Sequence, residues 1–302
     1  TGVAGFIGSK LSKKLLDLGN NIVGIDNLVT GNKNNIPKKI KFYYGDCSKI
    51  KDLEKINFAN ISTIYHLAGQ SGGAISFDDP VLDFKYNVES TVNLLKLSVK
   101  YNIKNFFYAS SVSVYGEKKF KKKVLENDKC EPLSYYGLGK LTSERYINMY
   151  KSFHNLNACS LRLFNTYGPN QDLNNLRQGM LSIYLSQALK KKKINVMGSL
   201  ERYRDFVHVD DVVNAFVSLK KYNNHENCYN VCYGKKTKIK KALKLIINNL
   251  PFKVSYKVKG KTPGDQFGII GDNSLLLNKV KWQTKYEDIS IGIKNFVTSY
   301  LK

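Results

Sequence analysis

The sequence is poor in the residues and patterns that mark several large classes of protein. It has six prolines, one tryptophan and five cysteines in 302 residues. Because the cysteines are scattered along the chain, a disulfide framework or a metal cluster is not expected, and free thiols in a reducing compartment are. No apolar run approaches the ~20 residues that a membrane-spanning helix needs. These absences predict a cytoplasmic protein with no metal site and no membrane partner.

Acidic residues are scarce as well, with 24 Asp and Glu against 48 Lys and Arg, which gives a formal net charge of +24. Such an excess of positive charge raises the question of a nucleic-acid partner. Only five of the basic residues are arginines, however, and the lysine runs 118–123 and 190–193 contain a single aromatic residue, Phe120. Proteins that bind single strands combine basic with aromatic side chains. We therefore interpret the lysines as solvated surface charge and predict no nucleic-acid partner.

A tyrosine and a lysine stand four positions apart in the stretch Ser134–Lys140. On a helix this spacing places Tyr136 and Lys140 on one face. An ammonium held beside a phenol favours the phenolate, so Tyr136 could act as a base below the reference pKa of about 10. Such a tyrosine can take a proton from an alcohol while a bound nicotinamide accepts the hydride. The same spacing recurs at Tyr115 and Lys119, in a segment with no helical pattern, so spacing alone does not choose the pair.

The first eight residues carry a glycine at every third position, Gly2, Gly5 and Gly8, and lead into an amphipathic helix from Ser9. Glycines let the backbone approach a pyrophosphate closely, and a helix N-terminus supplies free N–H groups. A short apolar strand then ends at Asp26, near the spacing of ~20 residues expected for a carboxylate that binds the adenosine ribose. A carboxylate there repels a 2′-phosphate, so the sequence predicts NAD rather than NADP.

Strands and helices alternate over the first ~165 residues, which predicts an α/β fold with a Rossmann-like, doubly wound parallel sheet. Ligands of such sheets bind beyond the carboxyl ends of the strands. Ser111, at the end of a predicted strand 105–111, is therefore expected near Tyr136. The strand that should precede the glycine loop is missing, because residue 1 already lies in the loop, and we expect a longer chain to supply it.

Eight stretches spread over nearly the whole chain, in the family's order, resemble the extended short-chain dehydrogenase/reductase family, within it the nucleotide-sugar epimerases and dehydratases. They are Thr1–Ser9, Asp26–Leu28, Gly45–Asp46, His66–Gly69, Ala109–Gly116, Tyr136–Lys140, Leu161–Pro169 and Arg204–Asp211. The resemblance implies that Ser111 is the catalytic hydroxyl, Tyr136 the base and Lys140 its partner. It leaves Tyr115 and Lys119 as the chance pair.

The resemblance also implies the ligand contacts and the division of the chain. We expect an NAD-binding domain, residues 1–165 with about 204–232 returning to it, and a smaller, interleaved α/β domain, residues 166–302, that binds a nucleotide sugar. The expected contacts of NAD are Gly2, Gly5, Phe6, Ile7, Gly8, Asp26, Asn27, Asp46, Cys47, Leu67, Ala68, Gly69, Asn87, Tyr136 and Lys140. The expected contacts of the sugar nucleotide are Ser111, Ser113, Tyr136, Asn165, Arg204, Asp265 and Ile269.

Two of these substrate contacts carry a specific expectation from the resemblance. The planar guanidinium of Arg204 suits a diphosphate. Ile269, four residues after Asp265, stands where a bulky tyrosine in family members excludes N-acetyl groups. We therefore expect both UDP-glucose and UDP-N-acetylglucosamine to be accepted. Family members often carry an arginine three residues before that aspartate; here the position is Thr262, so a neighbouring lysine is expected to substitute.

The residues after Ser111 separate the reactions that the resemblance allows. Dehydratases of the family carry Asp-Glu there and decarboxylases a glutamate at the second position, whereas this chain has Val112-Ser113. NAD-dependent 4-epimerisation of a UDP-sugar is therefore expected, with another nucleotide-sugar oxidoreductase, such as a ketosugar reductase, or a non-catalytic NAD-binding sensor as alternatives. A homodimer is also expected, through helices near 88–99 and 136–153, whose apolar residues include Ile147 and Phe153.

Overall fold

The computed structural model describes residues 1–118, 122–260 and 266–301. Lys119 and Asp265 therefore lie outside the described residues. Within these ranges, no helix is both long enough and apolar enough to cross a membrane.

The larger half of the molecule is built on parallel strands. β1 (Val23–Asp26) pairs with β2 (Lys41–Tyr44). A four-stranded sheet runs in the order β10, β5, β4, β3. The backbone N–H groups of Thr1 and Gly2 donate to Tyr65 of β3 and Ile25 of β1, at 2.8 and 2.9 Å, and so join the two sets of strands. The four strands are β3 (Thr63–His66), β4 (Asn105–Ser111), β5 (Asn157–Leu163) and β10 (Cys228–Val231).

Helices cover both faces of this sheet, because successive side chains of a strand point to opposite sides. Phe107 of β4 packs into a core with α1 and α7, and Phe106 packs into a separate core with α4 and α5. The Rossmann-like, doubly wound fold is thus confirmed. The helices are α1 (Phe6–Asp17), α2 (Ile50–Leu53), α3 (Pro80–Phe84), α4 (Ser90–Lys100), α5 (Tyr135–His154) and α7 (Val209–Leu219).

Among the described residues, four short helical turns lie between these elements. A π-helical turn, Lys85–Glu89, joins α3 to α4 without a break. The 3₁₀ turns are Lys33–Asn35, Ile75–Phe77 and Val112–Tyr115. The last of these follows β4 directly, and so Ser111 lies at the carboxyl end of that strand.

The smaller half has its own core around Leu185, Leu243 and Phe296, formed chiefly by α6, α8 and α10. Its strands pair two by two: β6 with β9 and β7 with β12 in parallel, and β8 with β11 antiparallel. The elements are β6 (Asn165–Tyr167), α6 (Met180–Lys191), β7 (Lys193–Met197), β8 (Tyr203–Arg204), β9 (Phe206–His208), β11 (Thr237–Lys238), α8 (Ile239–Asn248), β12 (Ser255–Lys259) and α10 (Ile289–Thr298).

One segment assigned from the sequence to the smaller half packs with the larger one. α9 (Ser274–Val280) and Trp282 belong to the core that also contains β5 and α7. The Trp282 indole donates to the Asp211 carbonyl at 2.8 Å and stacks on Tyr233. A buried indole needs such an acceptor, and the segment thus returns to the larger half.

Candidate active site

A cleft of about 670 Å³ lies between the two halves of the molecule. Asp26 at the end of β1, Leu67 after β3 and Ser111 at the end of β4 line its floor, and Arg204 and Gln266 line the opposite wall. The cleft is therefore at the carboxyl ends of the parallel strands, where ligands of doubly wound sheets bind. Its volume suits a nucleotide-sized ligand.

The glycine loop forms one end of the cleft and is held in a shape that side chains would prevent. Gly2 has a φ of +70°, and a Cβ built there would lie 2.7 Å from the backbone nitrogen of Ala68. A Cβ on Gly8 would lie 2.0 Å from the Gly2 carbonyl oxygen. α1 begins at Phe6, three residues earlier than the sequence pattern indicated, so Gly8 lies inside its first turn. The loop thus presents backbone and a helix N-terminus to the cleft, an arrangement that fits a pyrophosphate.

Asp26 borders the cleft and also holds the glycine loop. Its carboxylate accepts hydrogen bonds from the backbone N–H groups of Ala4 at 3.0 Å and Leu28 at 2.8 Å. The side chain is 8% exposed, and that exposed edge faces the cleft. A ribose hydroxyl could donate to the remaining lone pairs of the carboxylate, and this geometry fits a dinucleotide.

Most other predicted contacts of the dinucleotide also line the cleft: Gly5, Phe6, Ile7, Asn27, Asp46, Cys47, Leu67, Ala68 and Gly69. Asn87 does not. It is fully buried, and a Cβ built on Gly69 would lie 2.5 Å from its side-chain oxygen. The expectation of a direct contact from Asn87 is corrected, because Gly69 stands between Asn87 and the cleft.

Ser111, Tyr136 and Lys140 come together at the centre of the cleft. α5 carries the last two, and its N-cap, Ser134, accepts the N–H of Gly137 at 3.1 Å. The Lys140 ammonium lies 5.8 Å from the centre of the Tyr136 ring. Ser111 donates its hydroxyl to Ser113, 3.2 Å away, which also lines the cleft.

Burial dominates the proton affinities of Tyr136 and Lys140. It raises the pKa of Tyr136 to about 12, although the hydrogen bond with Ser111 acts in the opposite direction. It lowers the pKa of Lys140 to about 8, although the negative charges of Asp83 and Glu144 oppose this. The expectation that the ammonium alone brings the phenol below its reference pKa is wrong for the chain by itself. Desolvation of the phenolate outweighs that attraction.

Tyr115, the tyrosine of the other pair, does not line the cleft. Its hydroxyl donates to the Asn230 side-chain oxygen at 2.6 Å and accepts from the Arg162 guanidinium at 2.9 Å. Arg162 is itself paired with Glu144 at 2.8 Å, and both of these side chains are buried. A hydroxyl engaged on both sides in the core cannot reach a ligand, so the geometry favours Tyr136.

The predicted contacts of the sugar nucleotide are only partly in place. Ser113, Asn165 and Arg204 line the cleft. Arg204 is 4% exposed and donates to the carbonyls of Tyr203 at 2.7 Å and Phe267 at 3.2 Å. These bonds hold its guanidinium against the wall of the cleft.

The structure corrects the expectation that Ile269 contacts the sugar nucleotide. It is 3% exposed and packs in the core that contains Phe164 and Cys232, away from the lining of the cleft. Gln266, three residues earlier, is the cleft-lining residue of that segment. Ile269 therefore does not border the cleft, because an apolar side chain is stabilised by burial, whereas the Gln266 amide donates to the Gly116 carbonyl.

Several polar cleft residues escaped the sequence-based prediction. Five of them lie in the loop between β6 and α6, and the guanidinium of Arg177 there contacts Asp78 at 2.5 Å across the cleft. The polar run between Pro169 and Gly179 was the available signal. The missed residues include Asn170, Gln171, Asn175, Arg177, Gln178 and Gln266.

No group of three or more His, Cys, Asp or Glu side chains that could hold a metal ion occurs in the described part of the chain.

Comparison with known proteins gives a family. The sequence pattern of the NAD dependent epimerase/dehydratase family matches residues 1–232. A putative UDP-glucose 4-epimerase of Methanocaldococcus jannaschii is 38% identical over 299 residues, or 98% of this chain and 96% of that protein. The crystal structure of Thermotoga maritima UDP-glucose 4-epimerase with UDP-glucose is similar at a TM-score of 0.94 and 30% identity, covering 99% of this chain and 97% of that one.

The Thermus thermophilus UDP-glucose 4-epimerase, in complex with NAD, is similar at a TM-score of 0.90 and 27% identity, over 99% of this chain and 97% of that one. Relatives with other reactions match too: a dTDP-4-dehydro-6-deoxyglucose reductase of Escherichia coli is 29% identical over 94% of this chain and 91% of its own length. The comparisons thus give the family but leave the reaction open. With the glycine loop, Asp26 and the serine, tyrosine and lysine of the cleft, they show that the chain belongs to the NAD dependent epimerase/dehydratase family and that its cofactor is NAD.

Proposed function

We propose that this protein is a UDP-sugar 4-epimerase, acting on UDP-glucose and UDP-galactose or on their N-acetylated forms. The observation that carries the proposal is the lining of the cleft around Ser111. Tyr136 and Lys140 are present there, but the two positions after Ser111 are a valine and a serine. The similarity to proteins named as UDP-glucose 4-epimerases supports the same reaction.

The carboxylates of the cleft argue against a dehydratase. Among the described residues that line it, the acidic ones are Asp26, Asp46 and Asp172. The first two are at the ends of β1 and β2, at the dinucleotide end, and the third is in the loop before α6. Elimination of water needs a general acid placed at the reacting carbon. None of the three is adjacent to Ser111 in the way that an acid at position 112 or 113 would be.

The side chains of the cleft can bind the sugar and move one proton. The Tyr136 phenolate oxygen is the group that takes the proton from the sugar's 4-hydroxyl and later returns it. Ser111, at hydrogen-bond distance from Ser113, orients that hydroxyl. NAD, when bound, supplies a hydride acceptor that can also give the hydride back. The burial of Tyr136 and Lys140 keeps water from competing for the proton.

The electrostatics of the cleft define what Lys140 contributes. With a pKa of about 8 it is largely an ammonium at neutral pH. Positive charge beside Tyr136 favours the phenolate form, which burial otherwise opposes. Arg204, across the cleft, supplies a planar cation suited to the diphosphate of the sugar nucleotide.

The test is product analysis over a panel of UDP-sugars, read by NMR, with purified protein and NAD. An epimerase produces the 4-epimer with no net consumption of NAD. A ketosugar reductase, running in reverse with NAD, would form NADH in proportion to the ketosugar produced, and a dehydratase would yield a 4-keto-6-deoxy sugar. Tight NAD binding with no conversion of any sugar would instead favour the sensor. The Tyr136→Phe variant is the matched control, because it keeps the ring and loses only the hydroxyl.

We further propose a homodimer through α3, α4 and α5. These helices pack on one another, and their outward side carries large exposed apolar side chains. Ile147, offered from the sequence as part of this surface, is instead fully buried in the core of the single chain, whereas Phe153 is 76% exposed. The exposed residues are Val81, Phe84, Leu138, Met149 and Phe153. Sedimentation at micromolar concentration tests the proposal, and a monomer would contradict it.

A further inference from the structure

A buried carboxylate beside the candidate active site has no part in the reaction as described so far. Asp83, on α3, is 2% exposed, and the cleft lining does not include it. Its Oδ1 accepts a hydrogen bond from the Asn87 side-chain amide at 3.1 Å. The oxygen of that amide, Asn87 Oδ1, is buried and has no hydrogen-bond partner in the described structure. Burial of a charge and an unsatisfied amide is costly, so their position calls for a reason.

Two glycines bring this pair of side chains up to Lys140. A Cβ built on Gly139, the residue before Lys140, would lie 3.2 Å from Asp83 Oδ2 and 3.3 Å from Asn87 Cβ. A Cβ built on Gly69, in the cleft wall, would lie 2.5 Å from Asn87 Oδ1 and 3.3 Å from the Lys140 ammonium nitrogen. The lack of side chains at both positions lets the carboxylate pack against α5 one residue before Lys140 and lets the Asn87 amide lie near the Lys140 ammonium.

We propose that Asp83 is a positioning residue for the reaction, which keeps Lys140 an ammonium beside Tyr136 by its negative charge and holds Asn87 against the same lysine. The inference rests on the proposed roles of Tyr136 and Lys140. It concerns a residue of α3, outside the serine, tyrosine and lysine of the cleft.

The other carboxylate near Lys140 is already neutralised. Glu144, one turn further along α5, forms a buried ion pair with Arg162 and accepts a hydrogen bond from Ser110. Asp83 forms no ion pair of that kind among the described residues, and its negative charge acts on both Lys140 and Tyr136. The titratable and charged groups that face Lys140 are Asp83 from α3, Glu144 and Tyr136 from α5, Tyr108 from β4 and His66 from β3.

The sign of the effect follows from the charge. The Asp83 carboxylate raises the pKa of Lys140 and that of Tyr136. Removing the charge should therefore lower both pKa values, so that Tyr136 ionises and Lys140 loses its proton at lower pH. Both limbs of a bell-shaped pH profile then move in the same direction. A residue with only a structural role would lower activity at every pH and leave the limbs in place.

The first experiment compares kcat/KM for epimerisation between pH 6 and 10 in three proteins. Asp83→Asn keeps the shape and the hydrogen bond to Asn87 and removes only the charge. Asp79→Asn, in the exposed N-cap of the same helix, is the matched control. We expect the limb that reports Lys140, near pH 8 in the unmodified protein, to shift to lower pH by about one unit in Asp83→Asn, and that of Asp79→Asn to stay with the unmodified protein.

A second readout needs no turnover. In protein labelled with ¹³C-lysine, Lys140 should titrate near pH 8, well separated from exposed lysines near ~10.4, and its signal can be assigned by its loss in Lys140→Arg. Asp83→Asn should move that titration to lower pH. An unchanged titration together with unshifted limbs would overturn the inference. If the unmodified protein epimerises no sugar, the proposed function fails, and the lysine titration still decides whether Asp83 controls Lys140.

Should Asp83→Asn not fold, as judged by circular dichroism, Gly139→Ala gives the same test from the other side. Its methyl group would lie 3.2 Å from Asp83 Oδ2 and push the carboxylate from the lysine. We expect a smaller shift of the Lys140 titration in the same direction, and no shift would count against the proposal.

Discussion

Tyr136 and Tyr115 are the same residue type, each with a lysine four positions later, and both are buried. Their surroundings nevertheless give them different tasks. Tyr136 lies in the first turn of α5 with its side chain at the wall of the cleft. Tyr115 lies in a 3₁₀ turn, and its hydroxyl is bound between Arg162 and Asn230 in the core.

A tyrosine hydroxyl can act in catalysis only if it is free to bond a ligand. The spacing between the tyrosine and its lysine in the sequence does not decide this. Burial raises the pKa of both tyrosines. A base must also reach the proton that it takes, and the bonds of Tyr115 to the protein leave it no such freedom.

Removing the Tyr136 hydroxyl should have the largest effect. We expect Tyr136→Phe to lose turnover by about 10²–10⁴-fold, the usual contribution of a positioned acid–base group. NAD should stay bound, because the ring still packs. Turnover of purified protein and NAD retention after gel filtration measure both. A variant that keeps most of its turnover would show that the wrong tyrosine has been chosen.

The pH dependence of turnover should report the ionisation of Lys140. Lys140 has a pKa of about 8, so its ammonium is present below that pH and is lost as the pH rises through it. If the charge is required, we expect turnover to rise with pH up to about 8 and then to level off, because above that pH the loss of the ammonium offsets the gain of Tyr136 phenolate, whose pKa is about 12. The point where the profile levels off is the limb that reports Lys140. Lys140→Arg, whose charge persists to much higher pH, should move this limb upward. The same limb in both proteins would mean that another group is titrating.

The Asp26 carboxylate, at the dinucleotide end of the cleft, should contribute to NAD binding. Asp26→Ala should weaken NAD binding by about tenfold, equivalent to ~1.4 kcal/mol. It should also reduce the preference for NAD over NADP. It loses a ribose acceptor and the bonds to Ala4 and Leu28. Asp17→Ala, at the exposed end of α1, is the control. Calorimetric titration with both cofactors measures the change, and equal binding of NAD and NADP by the unmodified protein would contradict the prediction.

Tyr115→Phe should have the smallest effect on turnover, within about twofold, and a clear effect on stability. It leaves the Asn230 oxygen and an Arg162 donor each short of one partner in the core. Such a loss costs about 1–3 kcal/mol of unfolding free energy. Urea unfolding measures the stability, and turnover is compared at equal folded concentration. A loss of turnover as large as that of Tyr136→Phe would erase the distinction between the two tyrosines.

The failures of sequence-based prediction share a cause. The resemblance to the family places Ile269 and Asn87 at ligands, yet the first packs into the core and the second lies behind Gly69. Asp83 was not noticed, because nothing in its local sequence shows that Gly139 admits its carboxylate to the neighbourhood of Lys140. These positions depend on which elements pack together.

The sequence by itself determined the features that are local in the chain. The glycine spacing imposes a backbone that side chains would block, the strand ending at Asp26 follows at the expected distance, and Tyr136 and Lys140 share a helix face because they are four residues apart. The tertiary structure determines which tyrosine lines the cleft, how far burial shifts the pKa values of Tyr136 and Lys140, and which carboxylate lies near Lys140. Those properties arise from desolvation and from partners such as Arg162 and Asn230, which come from strands far apart in the chain and are brought together only by the folded sheet.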